Sequence, residues 1–451
     1  MRLYRHIIIA VAALAAATAA LPAQTFHQGL FLDGYRLGYR YNPAIQNENG
    51  VVGVGQWGNQ TLNNVGAANF LYPRDGKLVT ALHSSVTADE FLLGLPDYCS
   101  YTGGIDFNLF SYGWRKDAAY HTVEANVRAA YGAFIPETIF EILKLGTSNT
   151  NYDMGKMRLF GNAYAELVYG YSLKVSDAFS FGARAKLLIG VEALNYNFSR
   201  MDLTFSEEGY NVDLQADLNL TSRWSKIMPD ANGYLNFLDL SLKERWKLPS
   251  GGGLAVDLGI LATPVEGLTL SASILDLGGI VWYYGNAGVS EGSTSFTGVT
   301  DLSLEQIQKG DILGEFNELG ERFFESLRIK TAKSRVSPEM IPFTVNTAAK
   351  YEMPFYRALS IGATGNFIFR KGMSYMEGRG VLAWNGKYLG ICADGGYGSF
   401  GPVYGLGLNA SIWKFRITAA MSNGFGGNIP YTNTPLKPNN KVITLGLTYD
   451  L

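Results

Sequence analysis

The last stretch of the chain, residues 441–451, reads Lys-Val-Ile-Thr-Leu-Gly-Leu-Thr-Tyr-Asp-Leu. Its apolar residues recur at every second position from Ile443 to Leu451, and threonine, glycine and aspartate occupy the positions between them. This alternation predicts a β-strand with one apolar face and one polar face. A strand in this place is either the closing strand of an outer-membrane barrel, which pairs with the first strand, or the edge strand of a soluble sandwich.

The composition favours the barrel. Only 17% of the 451 residues are charged, against about 25% in soluble domains. The 53 glycines and 27 tyrosines suit a sheet with wide surfaces of small residues and aromatic girdles. A mean hydropathy of +0.02 excludes a helical membrane protein, because spanning helices need runs of about 18 apolar residues. The net charge of -2 gives no indication of a nucleic-acid partner.

The first 23 residues have the features of a secretory signal peptide. Arg2 and Arg5 provide a positive start, an apolar run covers residues 7–21, and Leu-Pro-Ala-Gln at 21–24 fits a cleavage region. The next residues are too irregular for a spanning strand and contain an Asn-Pro turn signal. We therefore predict a signal peptide over residues 1–23, an N-terminal segment and candidate plug over 24–49, and an outer-membrane β-barrel over 50–451.

The spacing of the turns indicates how the strands are arranged. Short turns occur near residues 115, 176, 265, 355, 386 and 413, and long connections cover 63–98, 132–156, 194–250, 285–339 and 423–440. Short turns on one side and long loops on the other are typical of outer-membrane barrels. The layout predicts an all-β, transmembrane antiparallel barrel of about 14 strands. If the hairpin at 198–221 spans the membrane instead of lying outside it, the count is 16.

Short helices are expected within the long connections. The clearest covers 136–146, where proline suits the first turn, glutamate the positive end and glycine the C-terminal cap. A helical turn is predicted over 88–95 and a further helix over 311–328. We expect irregular structure over 222–250, and a long connection over 285–339 whose first part is Gly/Ser/Thr-rich.

One strand resembles a known family. Residues 271–282, Ser-Ala-Ser-Ile-Leu-Asp-Leu-Gly-Gly-Ile-Val-Trp, resemble the S-x-x-D-L-G-x-I-x-W strand of an uncharacterised family of Gram-negative outer-membrane barrels. That family is similar to long-chain fatty-acid transporter barrels and to barrels associated with type IX secretion. The Tyr-Asn-Pro-Ala stretch at 41–44 and the helix at 136–146 fit the same pattern. The resemblance covers roughly the whole mature chain and implies fourteen strands with an N-terminal plug, but no ligand-binding residue can be matched.

Charged residues of both signs share the polar parity of their strands. The acidic ones are Glu124, Glu166, Glu192, Asp213, Asp217, Asp257, Glu352, Glu377 and Asp450. The basic ones are Arg128, Arg158, Arg184, Lys186, Lys350, Arg379 and Arg416. A strongly selective pore would need a ring of one sign. Mixed charge predicts a lumen cross-linked by ion pairs or, alternatively, a polar permeation path, with Glu124, Arg128, Arg184 and Lys186 as candidate lumen residues.

Asp276 does not fit its strand. In an unbroken strand its parity would point the carboxylate at lipid, where a charge is costly. A bulge or kink at Leu277, Gly278 and Gly279 would turn Asp276 inward or towards a rim. Such a bulge could simply close the curvature of the barrel, or it could be a kink that opens a side gap for an apolar ligand.

The sequence offers little for catalysis or metal binding. Cys99 and Cys392 are the only cysteines and predict two unpaired thiols or one incidental bridge. His27, His83 and His121 lack the spacing of metal ligands. No nucleophile motif or phosphate loop stands out. We therefore predict no enzymatic activity, no cofactor and no bound metal.

Two functions remain open. The first is passive transport or binding of a small molecule, with a hydrophobic one as the candidate, favoured if residues 24–49 leave the lumen unfilled. The second is a structural or secretion-associated barrel that docks a protein partner on its loops, favoured if 285–339 is ordered and exposes an apolar patch. The expected partners are outer-membrane lipids, the barrel assembly machinery, a small hydrophobic ligand and a secreted or surface protein, with no nucleic acid.

Overall fold

The alternating segments of the sequence form long antiparallel strands in a computed structural model of the chain. The model describes residues 28–145, 151–153, 155–206, 209–222, 225–229, 235–242, 249–283, 285–296, 330–332, 336–370, 373–423 and 436–451. The predicted signal peptide and the predicted helix over 311–328 lie outside these residues.

The strands are numbered in chain order. The first twelve are β1 (Val51–Gly53), β2 (Gln56–Asn63), β3 (Leu71–Arg74), β4 (Lys77–Thr80), β5 (Tyr98–Lys116), β6 (Ala119–Pro136), β7 (Asn151–Asp153), β8 (Arg158–Ser176), β9 (Phe179–Ser206), β10 (Gly209–Ser222), β11 (Ser225–Pro229) and β12 (Leu235–Leu242). The others are β13 (Gly251–Val265), β14 (Leu268–Trp282), β15 (Gly285–Phe296), β16 (Lys330–Ala332), β17 (Ser337–Met340), β18 (Phe343–Glu352), β19 (Leu359–Phe369), β20 (Tyr375–Asn385), β21 (Leu389–Gly398), β22 (Gly401–Ile412), β23 (Phe415–Ser422) and β24 (Asn439–Asp450).

The final strand closes the barrel, as the sequence predicts. β24 pairs with β23 on one side and with both β1 and β2 on the other. The closed antiparallel barrel has 14 strands. Its wall runs through β1 and β2, β5, β6, β8, β9, β13, β14, β17 and β18, and β19 to β24.

The hairpin of β9 and β10 explains why the count is 14 and not 16. β13 pairs with β9 from Phe179 to Gly190, whereas β10 pairs with β9 from Glu192 to Ser206. The upper half of β9 therefore rises above the wall together with β10 and β15, at the end of the barrel where the long connections lie.

The outer face of the wall is apolar, and this makes the chain an outer-membrane barrel. Along β24, Leu445 and Leu447 are exposed while Thr444 and Thr448 are buried, so alternate side chains face lipid and lumen. Trp413 and Phe355 are exposed beside the short turns, where an aromatic girdle is expected.

Within the described residues the helices are Ala88–Leu92 and Glu137–Leu145, with 3-10 turns at Gly38–Arg40 and Ala67–Asn69. Thr87 caps the first helix by accepting a hydrogen bond from the Glu90 backbone N–H. The second helix agrees with the prediction over 136–146, except that Pro136 ends β6. Among the described helices, none has the length and apolar character that crossing a membrane requires.

The predictions of irregular structure over 222–250 and of a connection without strands at the start of 285–339 are wrong. Within 222–250, β11 and β12 pair with each other as a hairpin, and the alternation Leu-Asp-Leu-Ser-Leu at 238–242 is the signal that could have shown it. In the Gly/Ser/Thr-rich part of 285–339, β15 pairs along its whole length with β10. Its composition is unfavourable for a strand, but the neighbouring ladder supplies partners for its backbone groups.

Candidate functional site

Residues 28–47, here called the inner segment, lie inside the barrel at the end with the short turns. The Asn42 side-chain amide donates to the carbonyls of Ile260 and Ala272, at 2.9 and 3.2 Å, on β13 and β14. The Tyr41 hydroxyl lies 3.1 Å from Thr364 Oγ1 on β19, and on the opposite wall Arg36 Nε donates to Asp450 on β24 at 2.8 Å. The inner segment therefore crosses the lumen and is attached to both sides of it.

Glycines in the wall make room for the inner segment. A Cβ added at Gly182 would lie 2.1 Å from the carbonyl oxygen of Pro43, and one at Gly259 would lie 2.0 Å from Asn42 Oδ1. Real Cβ atoms do not approach that closely, so larger residues at these positions would displace the segment. The inner segment therefore packs directly against the wall at Asn42 and Pro43.

The tyrosines of the inner segment are fully enclosed. Burial raises the pKa of Tyr35 to about 12 and that of Tyr41 to about 12, because a phenolate would lose its hydration. Both hydroxyls therefore stay protonated at physiological pH. Tyr35 pairs with Gln56, so the segment is held by neutral hydrogen bonds as well as by charge.

Above the inner segment, eight buried charges form a closed ring of alternating sign, here called the charge ring. In order around the ring its members are Arg40, Asp106, Arg128, Asp276, Lys186, Asp257, Arg184 and Glu124. Every neighbouring pair is an ion pair. In six of the eight pairs the distance between the nitrogen and the oxygen is 2.6 to 3.3 Å. Arg40 belongs to the inner segment and the other seven belong to the wall, so the ring joins the segment to the wall.

The charge ring is balanced, and Glu166 adds a ninth charge. Glu166 lies on β8 with one oxygen 3.0 Å from Arg128 and accepts a hydrogen bond from Asn126 at 3.3 Å. Buried ion pairs gain little net stability, because desolvation offsets most of the attraction. Removing one partner is different, since it leaves a buried charge without compensation. The ring therefore makes the position of each member depend on the others.

Asp276 joins the ring through a bulge, as the sequence predicts, but the bulge lies at Leu275 and Asp276 opposite Asp257 and not at the predicted Leu277, Gly278 and Gly279, which pair in register with β13. The β13–β14 register shifts at this point, and Asp276 has a φ of +63°, which aspartate tolerates better than most residues. Its side chain is fully buried and accepts a hydrogen bond from Arg128 at 2.9 Å. Its backbone N–H donates to Asp257 at 2.7 Å. The bulge therefore turns both polar groups of Asp276 away from lipid.

Gly278 and Gly279 allow the chains around the bulge to approach closely. A Cβ at Gly278 would lie 2.1 Å from the carbonyl oxygen of Leu254, and one at Gly279 would lie 2.5 Å from that of Glu339. Both contacts involve backbone atoms, which cannot move aside cheaply. The two glycines are thus needed by the packing of the strands and not by a positive φ.

The wall changes partner at this bulge. β14 pairs with β18 up to Leu275 and with β17 from Gly279 onwards. Between these ladders the facing chain contains Pro342, which has no N–H to donate, and one bond remains, from the Ile341 N–H to the Gly278 carbonyl at 3.2 Å. The wall is therefore weakly paired here.

An apolar layer separates the charge ring from the space above it. Its members are Tyr164, Leu188, Ala193, Ala255, Ile280, Trp282 and Ile341, all buried. Trp282 is wholly enclosed and donates a hydrogen bond to Glu339 at 3.0 Å. On this side the lumen is filled, from the short turns upward, by the inner segment, the charge ring and the apolar layer.

Above the apolar layer lies a cavity of about 700 Å³, here called the wall cavity. Its lumen side includes Arg158, Asn195 and Asn197, and its outer side includes Met340 and the stacked pair Phe343 and Phe369, whose ring centroids are 4.6 Å apart. Among the described residues β17 pairs only with β14, so its other edge borders the cavity. The cavity thus joins the lumen to the lipid-facing surface.

The structure unites the residues predicted for the lumen. Glu124, Arg128, Arg184 and Lys186 lie in the charge ring with Asp276, and Gly278 and Gly279 support its bulge. The prediction for Glu192 is wrong, because the β8–β9 register shifts near Ala163 and Tyr164 and places it on the face opposite to Ala193. The side chain of Asp213 lies outside the described residues.

Sequence reasoning missed Asp106, Arg40 and Asp394. Asp106 shares the parity of Thr102 and Asn108, both buried, so alternation along β5 could have found it. Asp394 pairs with Arg379 on the far wall and accepts a hydrogen bond from Gln28 of the inner segment. Arg40 lies in an irregular segment that has no periodic signal.

The cysteines and histidines take no part in this arrangement. Cys99 and Cys392 are buried and unpaired, which agrees with the first of the two alternatives predicted for them. Among the described residues no group of three or more acidic, histidine or cysteine side chains could hold a metal ion.

A protein-family profile described as "Family of unknown function (DUF5723)" matches residues 43–422. Comparison with curated proteins finds no match. Among solved structures, the Ralstonia pickettii toluene transporter TbuX is similar, with 8% identity, a TM-score of 0.46 and coverage of 92% of this chain and 94% of that one. The Pseudomonas putida toluene transporter TodX is similar with 9% identity and a TM-score of 0.41, and the match covers 90% of this chain and 91% of that one. A Pseudomonas aeruginosa FadL homologue is similar with 14% identity and a TM-score of 0.43, and the match covers 91% of this chain and 92% of that one.

Proposed function

The chain belongs to this family of unknown function (DUF5723), and we propose that it is a passive outer-membrane channel that admits small hydrophobic molecules. The wall cavity carries the proposal, because it joins the apolar outer face at Phe343 and Phe369 to the lumen at Arg158. A volume of about 700 Å³ is within the range of small-molecule pockets. The mechanism needs no covalent step and no enzymatic group.

The route is sideways through the wall and not straight along the barrel axis. Transport along the barrel axis was expected only if residues 24–49 left the lumen unfilled, and that condition is not met, because the inner segment is buried at the end with the short turns. We therefore propose that residues 24–49 act as a plug. Beside β8, β9, β13 and β14, the apolar layer lies between the plug and the cavity. A hydrophobic molecule can instead cross the wall beside β17, where ladder partners are missing among the described residues.

Filling the wall cavity should stop uptake. Ser337 lines the cavity and is paired in the ladder with Trp282, so Ser337→Trp places an indole in the proposed route. In a Gram-negative host, we expect the initial rate of uptake of the hydrophobic fluorophore N-phenylnaphthylamine to fall several-fold, towards that of cells without the protein.

Leu406→Trp is the matched control, because Leu406 faces lipid on β22, away from the cavity. It should keep the wild-type rate. Heat-modifiable migration on gels should show equal amounts of folded barrel for both variants. Wild-type uptake by folded Ser337→Trp would mean that the cavity is not the route.

Docking of a secreted or surface protein is a second candidate. In the cap formed by 64–97 and the helix Glu137–Leu145, Lys144 donates hydrogen bonds to the carbonyls of Ala81 and His83, at 2.8 and 3.1 Å. The same cap exposes Leu78 and Leu93, which are the side chains we propose for a protein contact. Co-purification from membranes with mass spectrometry tests this candidate. We also propose that the barrel assembly machinery inserts the chain, and the same experiment tests that proposal.

A further inference from the structure

Glu166 gives the charge ring a net charge when it is ionised. The ring holds four cations and four carboxylates, and among the described residues Glu166 forms an ion pair with Arg128 alone. Four positive and five negative charges leave a net charge of -1 in this cluster of nine. Each of the nine side chains is at most 9% exposed. A buried charge without compensation is costly, so the cluster needs one further positive charge.

Glu166 also has few donors for an ionised carboxylate. Its Oε2 accepts one long hydrogen bond, from Asn126 at 3.3 Å. Its Oε1 is buried and accepts none, although it lies 3.0 Å from Arg128. A carboxylate has about four sites for accepted hydrogen bonds. Asp276, by comparison, accepts from both Arg128 and Lys186. An anion at Glu166 would therefore be poorly solvated.

A second carboxylate competes with Glu166 for the same donor. Arg128 Nη1 lies 2.9 Å from Asp276 Oδ1 and 3.0 Å from Glu166 Oε1, so two carboxylates crowd one nitrogen atom. The other terminal nitrogen of Arg128 is 3.3 Å from Asp106. Two carboxylates that share one site disfavour the ionisation of one of them. The less well bonded of the two is Glu166.

The other groups around Glu166 supply no free cation among the described residues. Lys186 on β9 is close enough to attract it, but lies between two carboxylates of the ring. Arg40 of the inner segment is likewise held by two. Tyr164 on β8, which also faces this cluster, carries no charge at neutral pH. Within the described part of the chain no acidic group could hold a metal ion. A proton is the remaining way to supply the missing positive charge.

We propose that Glu166 is a proton-binding site of the lumen, occupied at neutral pH, and that the proton makes the cluster electrically neutral. The proton comes from solvent and forms one O–H bond on Glu166, while the eight members of the charge ring stay ionised. A glutamic acid in the unfolded chain releases its proton at about pH 4.3, so assembly takes up one proton at neutral pH. Because Arg40 closes the ring from the inner segment, the site links the attachment of that segment to pH. This site is separate from the wall cavity and does not rest on the proposed function.

The infrared spectrum of the whole protein at neutral pH tests the proposal directly, because a protonated carboxyl group has a C=O stretching band that a carboxylate lacks. Dodecyl maltoside is the detergent, since it contains no carbonyl group. We expect the band in the wild type and its loss in Glu166→Gln. Glu266→Gln is the matched control and should keep the band, because Glu266 pairs with Arg357 at an exposed turn. A wild type without the band, or a band that persists in Glu166→Gln, would overturn the proposal.

The pH dependence of unfolding by urea in lipid vesicles is the second test. Glutamine has the size of the protonated acid and cannot ionise, so Glu166→Gln should assemble. The unfolded wild-type chain releases the proton and the folded chain keeps it, so the stability that the proton contributes is lost as pH rises. Between about pH 6 and 8, the unfolding constant of the wild type relative to that of Glu166→Gln should rise about tenfold for each pH unit. A constant ratio, or failure of Glu166→Gln to assemble, would contradict a neutral Glu166.

Discussion

Deleting residues 442–451 abolishes assembly of the barrel. The deleted strand supplies the ladder partners of β23 from Phe415 to Ser422 and those of β2 from Trp57 to Gln60. Without it, both edges expose unpaired backbone groups in lipid, where each costs several kcal/mol. We expect no heat-modifiable band on gels and rapid loss of the protein from the membrane fraction.

Leu451→Ala is the control for this deletion. Its backbone N–H can still donate to the Gly50 carbonyl, a bond of 2.9 Å in the native chain, and only an exposed side chain is shortened. This variant should assemble normally. Normal assembly of the deletion variant would show that the barrel is closed by strands other than β24, β1 and β2.

Arg184→Leu destabilises the assembled barrel strongly. Arg184 is 3% exposed and pairs with Glu124 and Asp257, which are both fully enclosed. Loss of this one cation leaves the charge ring with more carboxylates than cations. Breaking a buried ion pair from one side costs about 3–5 kcal/mol. We expect a correspondingly lower midpoint of urea unfolding, measured by tryptophan fluorescence in lipid vesicles.

Arg357→Leu provides the comparison, because the Arg357–Glu266 pair lies at the surface. Exposed pairs contribute about 0–1 kcal/mol, so its unfolding midpoint should stay near the wild-type value. If Arg184→Leu lowers the midpoint no more than Arg357→Leu does, the charge ring does not hold the lumen together.

The barrel was predictable because its signals are local. Alternation along β24 and the asymmetry of turn lengths follow from the requirement that every spanning strand has one lipid face and one lumen face. The misfit of Asp276 was informative for the same reason, since a carboxylate aimed at lipid demands a bulge. The errors came where that requirement ends, as in β15, whose partner strand compensates for its composition.

The candidate site was only half predictable. Glu124, Arg128, Arg184 and Lys186 could be assigned to the lumen by parity, but parity does not say which charges meet. The ring closes only because Arg40 reaches it from an irregular segment, and such a contact has no periodic signal. The wall cavity was not predictable either. It depends on β17 pairing with β14 alone among the described residues, and the sequence does not show which strands pair.

A crystal of the protein soaked with 4-bromotoluene tests the central claim most directly, through the anomalous signal of bromine. The proposed function predicts a bromine peak in the wall cavity, between Arg158 on the lumen side and the Phe343–Phe369 pair on the outer side. A peak on the inner-segment side of the apolar layer, or ordered bromine only on the outer surface away from β17, would contradict passage of hydrophobic molecules through this cavity.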